Sequence, residues 1–318
     1  MRLRRSHLDD PGLGRRGSTY LDVHGNRLRD RSAVARIEAL AIPPAWKDVW
    51  ISPDERGHIQ ATGTDAAGRK QYLYHRQWRE RRDRGKFARV RDVAERLPGM
   101  RARVRRDLTH GRGLSRDRVL AAIAGLLDLG MFRVGGAASA DRDEEPSFGL
   151  STLRPEHVRL QRGRVLLEFT GKSGVEHASQ VADGEIAAVL RELRRRRRGE
   201  DRLFAYWDPS GRRWHPVDAG LVNGYLRQIS GEEMTAKDFR TWHGTVTAAL
   251  ALDEAGPQPT AAKRRKAVSG AMREVAEKLG NTPAVARASY VDPRVVNAFE
   301  TGETAGSERA VRELLGPA

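Results

Sequence analysis

The stretch KDFRTWHGT, at Lys237–Thr245, decides how this chain is interpreted. It lies in a helix predicted over Thr235–Asp253, where residues three apart share a face, so Lys237, Arg240 and His243 should project together. A solvated basic face is one interpretation. The phenylalanine and tryptophan in the stretch indicate instead a partly buried helix, where positive charge is costly without an anionic partner. A bound phosphate would be such a partner.

The composition of the chain favours nucleic acid as that partner. The chain has 318 residues, 39% of them hydrophobic, and a formal net charge of +16, which attracts polyanions. A solvated basic surface or a membrane-facing patch is the alternative, but no stretch approaches the roughly 20 apolar residues of a spanning helix. Cysteine is absent, which excludes disulfides, thiolate nucleophiles and cysteine zinc sites.

The pattern of elements predicts an α+β protein of two domains, 1–90 and 91–318. The first should be a small β-sheet domain with helices, preceded by a partly ordered lead-in up to residue 32. An arginine-rich stretch from 77 to 117 suggests helices and a linker near the boundary. The predicted elements of the first domain are a helix at Ser32–Leu40 and strands at Val49–Ile51, His58–Thr62 and Gln71–His75.

The second domain should be larger and mostly helical, with a small antiparallel hairpin. Thr235 and Asp238 resemble a capping box. The arginine run at Arg194–Arg198 is interpreted as a solvated helix end in preference to a specific contact with nucleic acid. The predicted elements are a helix capped by Ser115 that ends at Gly130, a hairpin of Val158–Gln161 and Val165–Thr170 that turns at Arg162 and Gly163, and helices at Asp218–Gln228, Thr235–Asp253, Ala261–Leu279 and Pro293–Thr301.

A tyrosine, Tyr290, lies at the end of a short helical turn within ASYVDP at Ala288–Pro293. Taken alone, a tyrosine beside a helix is usually a core or interface residue. The combination of KDFRTW at Lys237–Trp242 with ASYVDP, however, resembles the type IB DNA topoisomerases.

The N-terminal half agrees with this resemblance. IPPAW at Ile42–Trp46, GHIQATG at Gly57–Gly63 and GRKQYLYH at Gly68–His75 resemble the DNA-clamping domain of the poxvirus and bacterial branch. The match runs from about Tyr20 to Phe299, which is nearly the whole chain. It implies a catalytic domain like that of the tyrosine recombinases.

Carried over by position, the resemblance implies five catalytic residues. Tyr290 would be the nucleophile that attacks a DNA phosphodiester. Arg133 and Arg240 would bind the nonbridging oxygens, because guanidinium groups bind phosphate bidentately. Lys172 would give a proton to the 5′ oxygen, with Arg133 assisting. Asn281 stands where the family has His or, in bacterial members, Asn, and would donate a neutral hydrogen bond.

The resemblance also implies residues that bind DNA outside the chemistry. Tyr72 and Tyr74 share a face of their strand while Gln71 points to the other, so a base contact by Gln71 stays open. His243 is at least as consistent with helix packing as with catalysis. The DNA-binding residues implied are Arg69, Lys70, Gln71, Tyr72, Tyr74, Arg154 and Lys237.

One segment departs from the family pattern. After Arg133-Val134-Gly135 the family often has a polar or basic residue and then a tyrosine that contact DNA, whereas this chain has GAASA at Gly136–Ala140. Those contacts are missing, which puts a strict cleavage-site preference in doubt. The pattern resumes at Phe148–Arg154, so the fold should be retained.

The resemblance implies relaxation of supercoiled duplex DNA through a 3′-phosphotyrosyl intermediate, by a monomer that needs neither ATP, metal nor any other cofactor. The sequence has no glycine-rich phosphate loop with Lys-Ser/Thr. A tyrosine recombinase is an alternative, although that family typically has His three residues before the second arginine, where this chain has Lys237. A non-enzymatic architectural DNA-binding protein is another alternative.

The N-terminus gives an expectation about location. Met1–Arg5 is basic, but no apolar segment of the kind found in signal peptides follows it. We therefore expect a cytoplasmic, nucleoid-associated protein.

Overall fold

The structure is a computed structural model. It describes residues 2–66, 68–110, 113–142, 144–161, 164–196, 201–231 and 233–316, with the backbone alone for 82–84. The predicted hairpin turn at 162–163 and the end of the arginine run at 197–198 lie outside the described residues. The chain divides into two compact units, Met1–Lys86 and Phe87–Ala318. Their helices and small antiparallel sheets confirm the predicted α+β class.

The first unit contains strands β1 (Leu13–Arg16), β2 (Thr19–Leu21), β3 (Lys47–Ile51), β4 (Ile59–Thr64) and β5 (Lys70–Tyr74), and helix α1 (Arg31–Ala39). The strands form one antiparallel sheet in the order β2-β1-β3-β4-β5, which leaves β5 at an edge. Strands β1 and β2 lie in the segment expected to be a partly ordered lead-in. They have four and three residues, which is too short for an alternating pattern to be recognised.

Helix α1 packs its one fully buried side chain, Ile37, into the small core of this unit. The helix begins at Asp30, whose carboxylate accepts hydrogen bonds from the backbone N–H groups of Ser32 and Ala33. Ile51 of β3 and Ala61 of β4 belong to the same core and have no exposed surface. Strand β5, at the edge of the sheet, pairs with β4 alone.

Helix α2 (Arg76–His110) replaces the helices and linker that were expected in the arginine-rich stretch. It continues through Pro98, although proline removes a hydrogen bond within a helix. Arginine has a high helix propensity, which explains how so polar a segment remains helical.

The second unit is mostly helical. Helix α3 lies at its centre, with Val119, Leu120, Ile123 and Leu126 fully buried against neighbouring helices. Its elements are α3 (Arg116–Gly130), α4 (Ala137–Ala140), β6 (Val158–Gln161), β7 (Arg164–Thr170), β8 (Glu176–Ala182), α5 (Gly184–Arg195), β9 (Ala205–Asp208), β10 (Arg213–Pro216), α6 (Ala219–Ser230), α7 (Ala236–Ala255), α8 (Ala261–Leu279), α9 (Pro283–Tyr290), α10 (Pro293–Thr301) and α11 (Glu308–Leu315).

The predicted helices of this unit are confirmed to within a few residues, and so is the capping box at the start of α7. Sequence analysis missed strand β8, which adds to the hairpin to give the antiparallel order β6-β7-β8. It also missed the two-stranded ribbon of β9 and β10. Within the described residues, no helix is both long and apolar enough to cross a membrane.

Candidate active site

Arg240 is almost fully buried in α7, with 3% of its surface exposed. Its Nη1 donates to the backbone carbonyl of Met131, and its Nη2 donates to that of Leu279 at 2.8 Å. These carbonyls lie at the C-terminal ends of α3 and α8, where backbone acceptors are left free and the helix dipole favours a cation. The guanidinium group is therefore fixed between two helix ends before any ligand binds.

Arg133 and Asn281 form the second part of the site. Nη2 of Arg133 donates to Oδ1 of Asn281 at 2.9 Å. Asn281 is held in turn by its backbone N–H, which donates to the carbonyl of Ala276 at 2.9 Å, directly after α8 ends. Helix α9 then spans the residues from Pro283 to Tyr290, which accounts for the nine-residue spacing between Asn281 and Tyr290.

Three hydrogen-bond donors in these side chains have no acceptor. Among the residues that the structure describes, Nη1 of Arg133, Nε of Arg240 and Nδ2 of Asn281 are buried without a hydrogen-bond partner. Leaving a buried donor unpaired costs about 1–3 kcal/mol, so such groups require an explanation. We call these three side chains the donor cluster. An anion with several oxygens, such as a phosphate, would satisfy it.

Tyr290 adjoins the donor cluster. Its ring centroid lies 5.2 Å from Cζ of Arg240, and Tyr290, Arg240, Arg133 and Lys237 line one cavity of about 340 Å³. In the described part of the chain, no group of three or more His, Asp or Glu side chains is placed to hold a metal ion. The cavity therefore presents three cationic side chains and a phenol to whatever enters it.

The charges in this cavity change two pKa values. Burial raises the pKa of the Tyr290 hydroxyl, but the positive charges of Arg240, Arg133 and Lys237 outweigh it, so the pKa lies below its ordinary value of 10.0. Burial, followed by repulsion from Arg133, lowers the pKa of Arg240 to about 10. The site thus stabilises the phenolate form of Tyr290 relative to a free tyrosine and carries an excess of positive charge.

The backbone of Tyr290 rests directly on helix α7. A side chain at Gly244 would bring its Cβ within 2.7 Å of the Tyr290 carbonyl oxygen and 3.2 Å of the Tyr290 Cβ, so only glycine permits this approach. The fully buried Thr245 hydroxyl accepts a hydrogen bond at 3.1 Å from the backbone N–H of Asp292. Sequence analysis missed the role of Gly244 and Thr245, although both belong to the stretch that decided the interpretation.

Lys172 lies outside the cavity. It is exposed on the turn between β7 and β8, where Ser173 and Gly174 have positive φ values of 66° and 71°. Contacts in the structure connect Arg133 with Asn281 and Arg240 with Tyr290, whereas Lys172 is exposed to solvent.

His177, in β8, connects the Lys172 turn to the donor cluster. A side chain at Gly171 would lie 2.5 Å from Cδ2 of the imidazole, and one at Gly280 would lie 3.2 Å from Cε1, so the ring fills the space between these glycines. Burial and the charges of Arg133 and Arg240 lower the pKa of His177, which favours the neutral ring. Sequence analysis did not identify this residue, because it lies on a strand with few apolar residues.

His243 makes contacts away from the cavity. Its Nε2 lies 2.8 Å from Oδ1 of Asp128, which also accepts two hydrogen bonds from Arg101, at 2.6 and 3.0 Å. Burial raises the pKa of Asp128, but the hydrogen bonds and charges of His243 and Arg101 lower it by more. The pKa of Asp128 therefore lies below its ordinary value. These contacts favour the packing interpretation of His243 over the catalytic one. Lys237, in contrast, is exposed at the mouth of the cavity.

The expected DNA-binding residues of the first unit lie on or beside β5. Tyr72 has 41% of its surface exposed and its ring is stacked on that of Tyr74, with centroids 6.1 Å apart. The Gln71 amide donates to Oδ2 of Asp65 at 2.8 Å, and Arg69 donates to the same carboxylate at 2.9 Å. Gln71 is thus held by Asp65 in this structure.

The two remaining positions in this set are also at the surface. Lys70 is exposed at the start of β5. Arg154 in the second unit is exposed, with Cζ 5.5 Å from the Phe148 ring centroid, and it does not line the cavity.

Comparisons with known proteins match both parts of the chain. Residues 75–308 match the family model of the catalytic core of eukaryotic DNA topoisomerase I, and residues 17–65 match that of the N-terminal domain of bacterial DNA topoisomerase IB. The chain is 31% identical over 264 residues to DNA topoisomerase 1B of Acanthamoeba polyphaga mimivirus, covering 81% of this chain and 77% of the viral protein. It is also 26% identical over 197 residues to DNA topoisomerase 1 of Candidozyma auris, covering 61% of this chain and 24% of the fungal protein.

Proposed function

This chain belongs to the type IB DNA topoisomerase family, and on that premise we propose that it relaxes supercoiled duplex DNA by cleaving one strand through Tyr290. The observation that carries the proposal is the donor cluster: three buried, unpaired donors from Arg133, Arg240 and Asn281 beside a tyrosine whose pKa is lowered. A phosphodiester would accept from all three.

The proposed reaction exchanges one phosphodiester for another. The Tyr290 phenolate attacks phosphorus, the bond from phosphorus to the 5′ oxygen breaks, and the 5′ oxygen takes up a proton. The product is a 3′-phosphotyrosyl bond and a free 5′-hydroxyl strand, which swivels before the reverse reaction reseals it. Because the bond energy is kept in the covalent intermediate, religation needs no ATP.

Each cationic or amide group has a role set by its position. Arg133 and Arg240 bind the nonbridging oxygens, on which negative charge builds up in the transition state. Asn281 donates from Nδ2, since its Oδ1 already accepts from Arg133. Lys237, at the mouth of the cavity, binds the scissile region or a neighbouring phosphate.

Lys172 is the proposed general acid for the 5′ oxygen. Its turn is exposed, so in this proposal the turn moves onto the DNA before cleavage. His177 holds the base of the turn against Gly280, next to Asn281, and so ties the position of the turn to that of the donor cluster.

We also propose that residues 1–90 act as a DNA-clamping domain and 91–318 as the catalytic domain. Tyr72, Tyr74 and Lys70 on the edge strand would contact the duplex from the first domain. In this proposal a monomer acts on chromosomal DNA, without a metal or nucleotide cofactor.

Relaxation of a supercoiled plasmid in EDTA, without ATP, tests the proposal. We expect relaxed topoisomers and, after denaturant is added, protein attached covalently to the 3′ end of the broken strand. Tyr290→Phe is the matched control, because it removes one oxygen and should abolish both results while leaving DNA affinity nearly unchanged. Untouched supercoils with the wild-type protein, or exchange only between paired specific sites, would contradict the proposal.

A further inference from the structure

The ribbon of β9 and β10 carries two tryptophans that the core does not use. Trp207 and Trp214 are directly opposite each other across the two strands, with ring centroids 5.3 Å apart in an edge-to-face arrangement. Neither belongs to the hydrophobic core of the second unit, and Trp207 has 38% of its surface exposed. An exposed indole pair on a short ribbon therefore calls for an explanation other than folding.

The ribbon itself is firmly anchored. The backbone N–H of Trp207 donates to the carbonyl of Leu114 at 2.9 Å, and that of Val217 donates to Phe204 at 3.0 Å. Tyr206, next along the strand, packs against the core and stacks on His215, with centroids 5.3 Å apart. The ribbon that carries the two indoles is thus hydrogen-bonded to the rest of the second unit.

One arginine side chain, that of Arg196, lies against the indole pair. Cζ of Arg196 lies 5.1 Å from the Trp214 ring centroid, and its Nη2 donates to the carbonyl of Arg202 at 2.7 Å. Arg194 and Arg195, which directly precede Arg196 at the end of α5, are exposed.

We propose that Trp207 and Trp214, with Arg194, Arg195 and Arg196, form a binding surface for an unpaired DNA strand, separate from the site that binds and cleaves duplex DNA. Indole rings stack on the faces of unpaired bases, while arginines bind the phosphates between them. Bases inside a duplex are already stacked and do not offer their faces, so the aromatic pair favours a single strand.

The test measures binding of a labelled oligothymidylate to the full chain by fluorescence anisotropy and by quenching of tryptophan emission. We use the Tyr290→Phe background, so that binding is read without cleavage and does not depend on the proposed function. Trp207→Leu should weaken oligothymidylate binding on the order of tenfold, the scale of one lost base stack. Trp207→Tyr keeps an aromatic ring and should restore most of the affinity.

Affinity for a relaxed duplex is the second readout. Trp207→Leu and Trp207→Tyr should both bind the duplex as tightly as the Tyr290→Phe background does. Arg194→Glu combined with Arg195→Glu changes only exposed side chains, and it should also weaken oligothymidylate binding, which keeps the test valid if Trp207→Leu fails to fold. Unchanged oligothymidylate affinity in these variants would overturn the proposal. So would an equal loss of duplex affinity, because the ribbon would then be part of the duplex site.

Discussion

The donor cluster and the edge strand β5 are both proposed to meet DNA, but the protein holds them in opposite ways. Arg240 is 3% exposed and its two Nη atoms are committed to helix-end carbonyls, whereas Tyr72 is 41% exposed on a strand with one neighbour. The cluster is fixed before DNA arrives, which suits groups that must match a transition state. The edge strand can adjust, which suits binding. Variants of the two regions should therefore affect different steps.

Among the variants that keep the nucleophile, the largest effect is expected from Arg240→Ala. The variant loses a preorganised donor to the phosphate oxygens, so single-turnover cleavage should slow by about 10²–10³-fold with little change in DNA affinity. Arg240→Lys keeps the charge but not the fork of donors and should remain strongly impaired. Because Arg240 also joins two helix ends, thermal unfolding of each variant must be measured alongside. A loss below tenfold in a folded variant would remove Arg240 from the proposed role.

The next effect concerns where the nucleophile is held. Gly244→Ala would place a Cβ 2.7 Å from the Tyr290 carbonyl oxygen and so displace Tyr290 from the donor cluster. We expect cleavage to fall by roughly 10²-fold, since small misplacements of reacting groups cost about that much. Gly270→Ala in α8 is the matched control, because its nearest neighbour would be the end of the Arg273 side chain at 3.8 Å. Equal activity of the two variants would show that the contact with Gly244 does not position Tyr290.

A smaller effect should appear in the pH dependence. If the phenolate is the attacking species, the cleavage rate rises with pH and levels off at high pH. The midpoint of this rise should lie below 10.0, because the cationic neighbours of Tyr290 lower its pKa. Lys237→Met removes one of these charges, which makes the phenolate less favourable and moves the midpoint upwards. The rate below the midpoint then decreases. A midpoint that moved downwards would contradict the electrostatic explanation.

The smallest effect is expected at the edge strand. Lys70→Ala should weaken duplex binding only a few-fold and reduce the slope of log affinity against log salt by about 0.9, the value for one phosphate contact. Cleavage at saturating DNA should be unchanged. If Lys70→Ala slowed cleavage as much as Arg240→Ala does, the contrast between a fixed catalytic region and an adjustable binding region would be lost.

Sequence patterns identified the long helices and strands β3 to β7 well, but they missed strands β1, β2, β8, β9 and β10. Helices α7 and α8 have apolar repeats over many residues and clear caps, so their bounds were predicted closely. Strand β8 has alanines at two exposed positions and only one buried residue, Val181, and β9 and β10 have four residues each, so the period-two signal is too weak to recognise. The domain ranges 1–90 and 91–318 remain a prediction.

The candidate site shows the same division. Arg133, Arg240, Asn281 and Tyr290 could be chosen from the sequence, because motifs shared with a family preserve residue type and order. Lys172 could be chosen in the same way, but the sequence did not predict that it would be exposed on a turn. The packing role of His243 depends on Asp128, which lies on another helix.

By itself, the sequence determined the family, the basic character and the identity of the residues proposed to act on phosphate, since these depend on residue type and local spacing. Only the tertiary structure decided which donors are left unpaired, how closely Gly244 lets the Tyr290 backbone approach, and where His177 lies. These properties arise from contacts between residues far apart in the chain. A local pattern carries no information about the distance or the burial that such contacts produce.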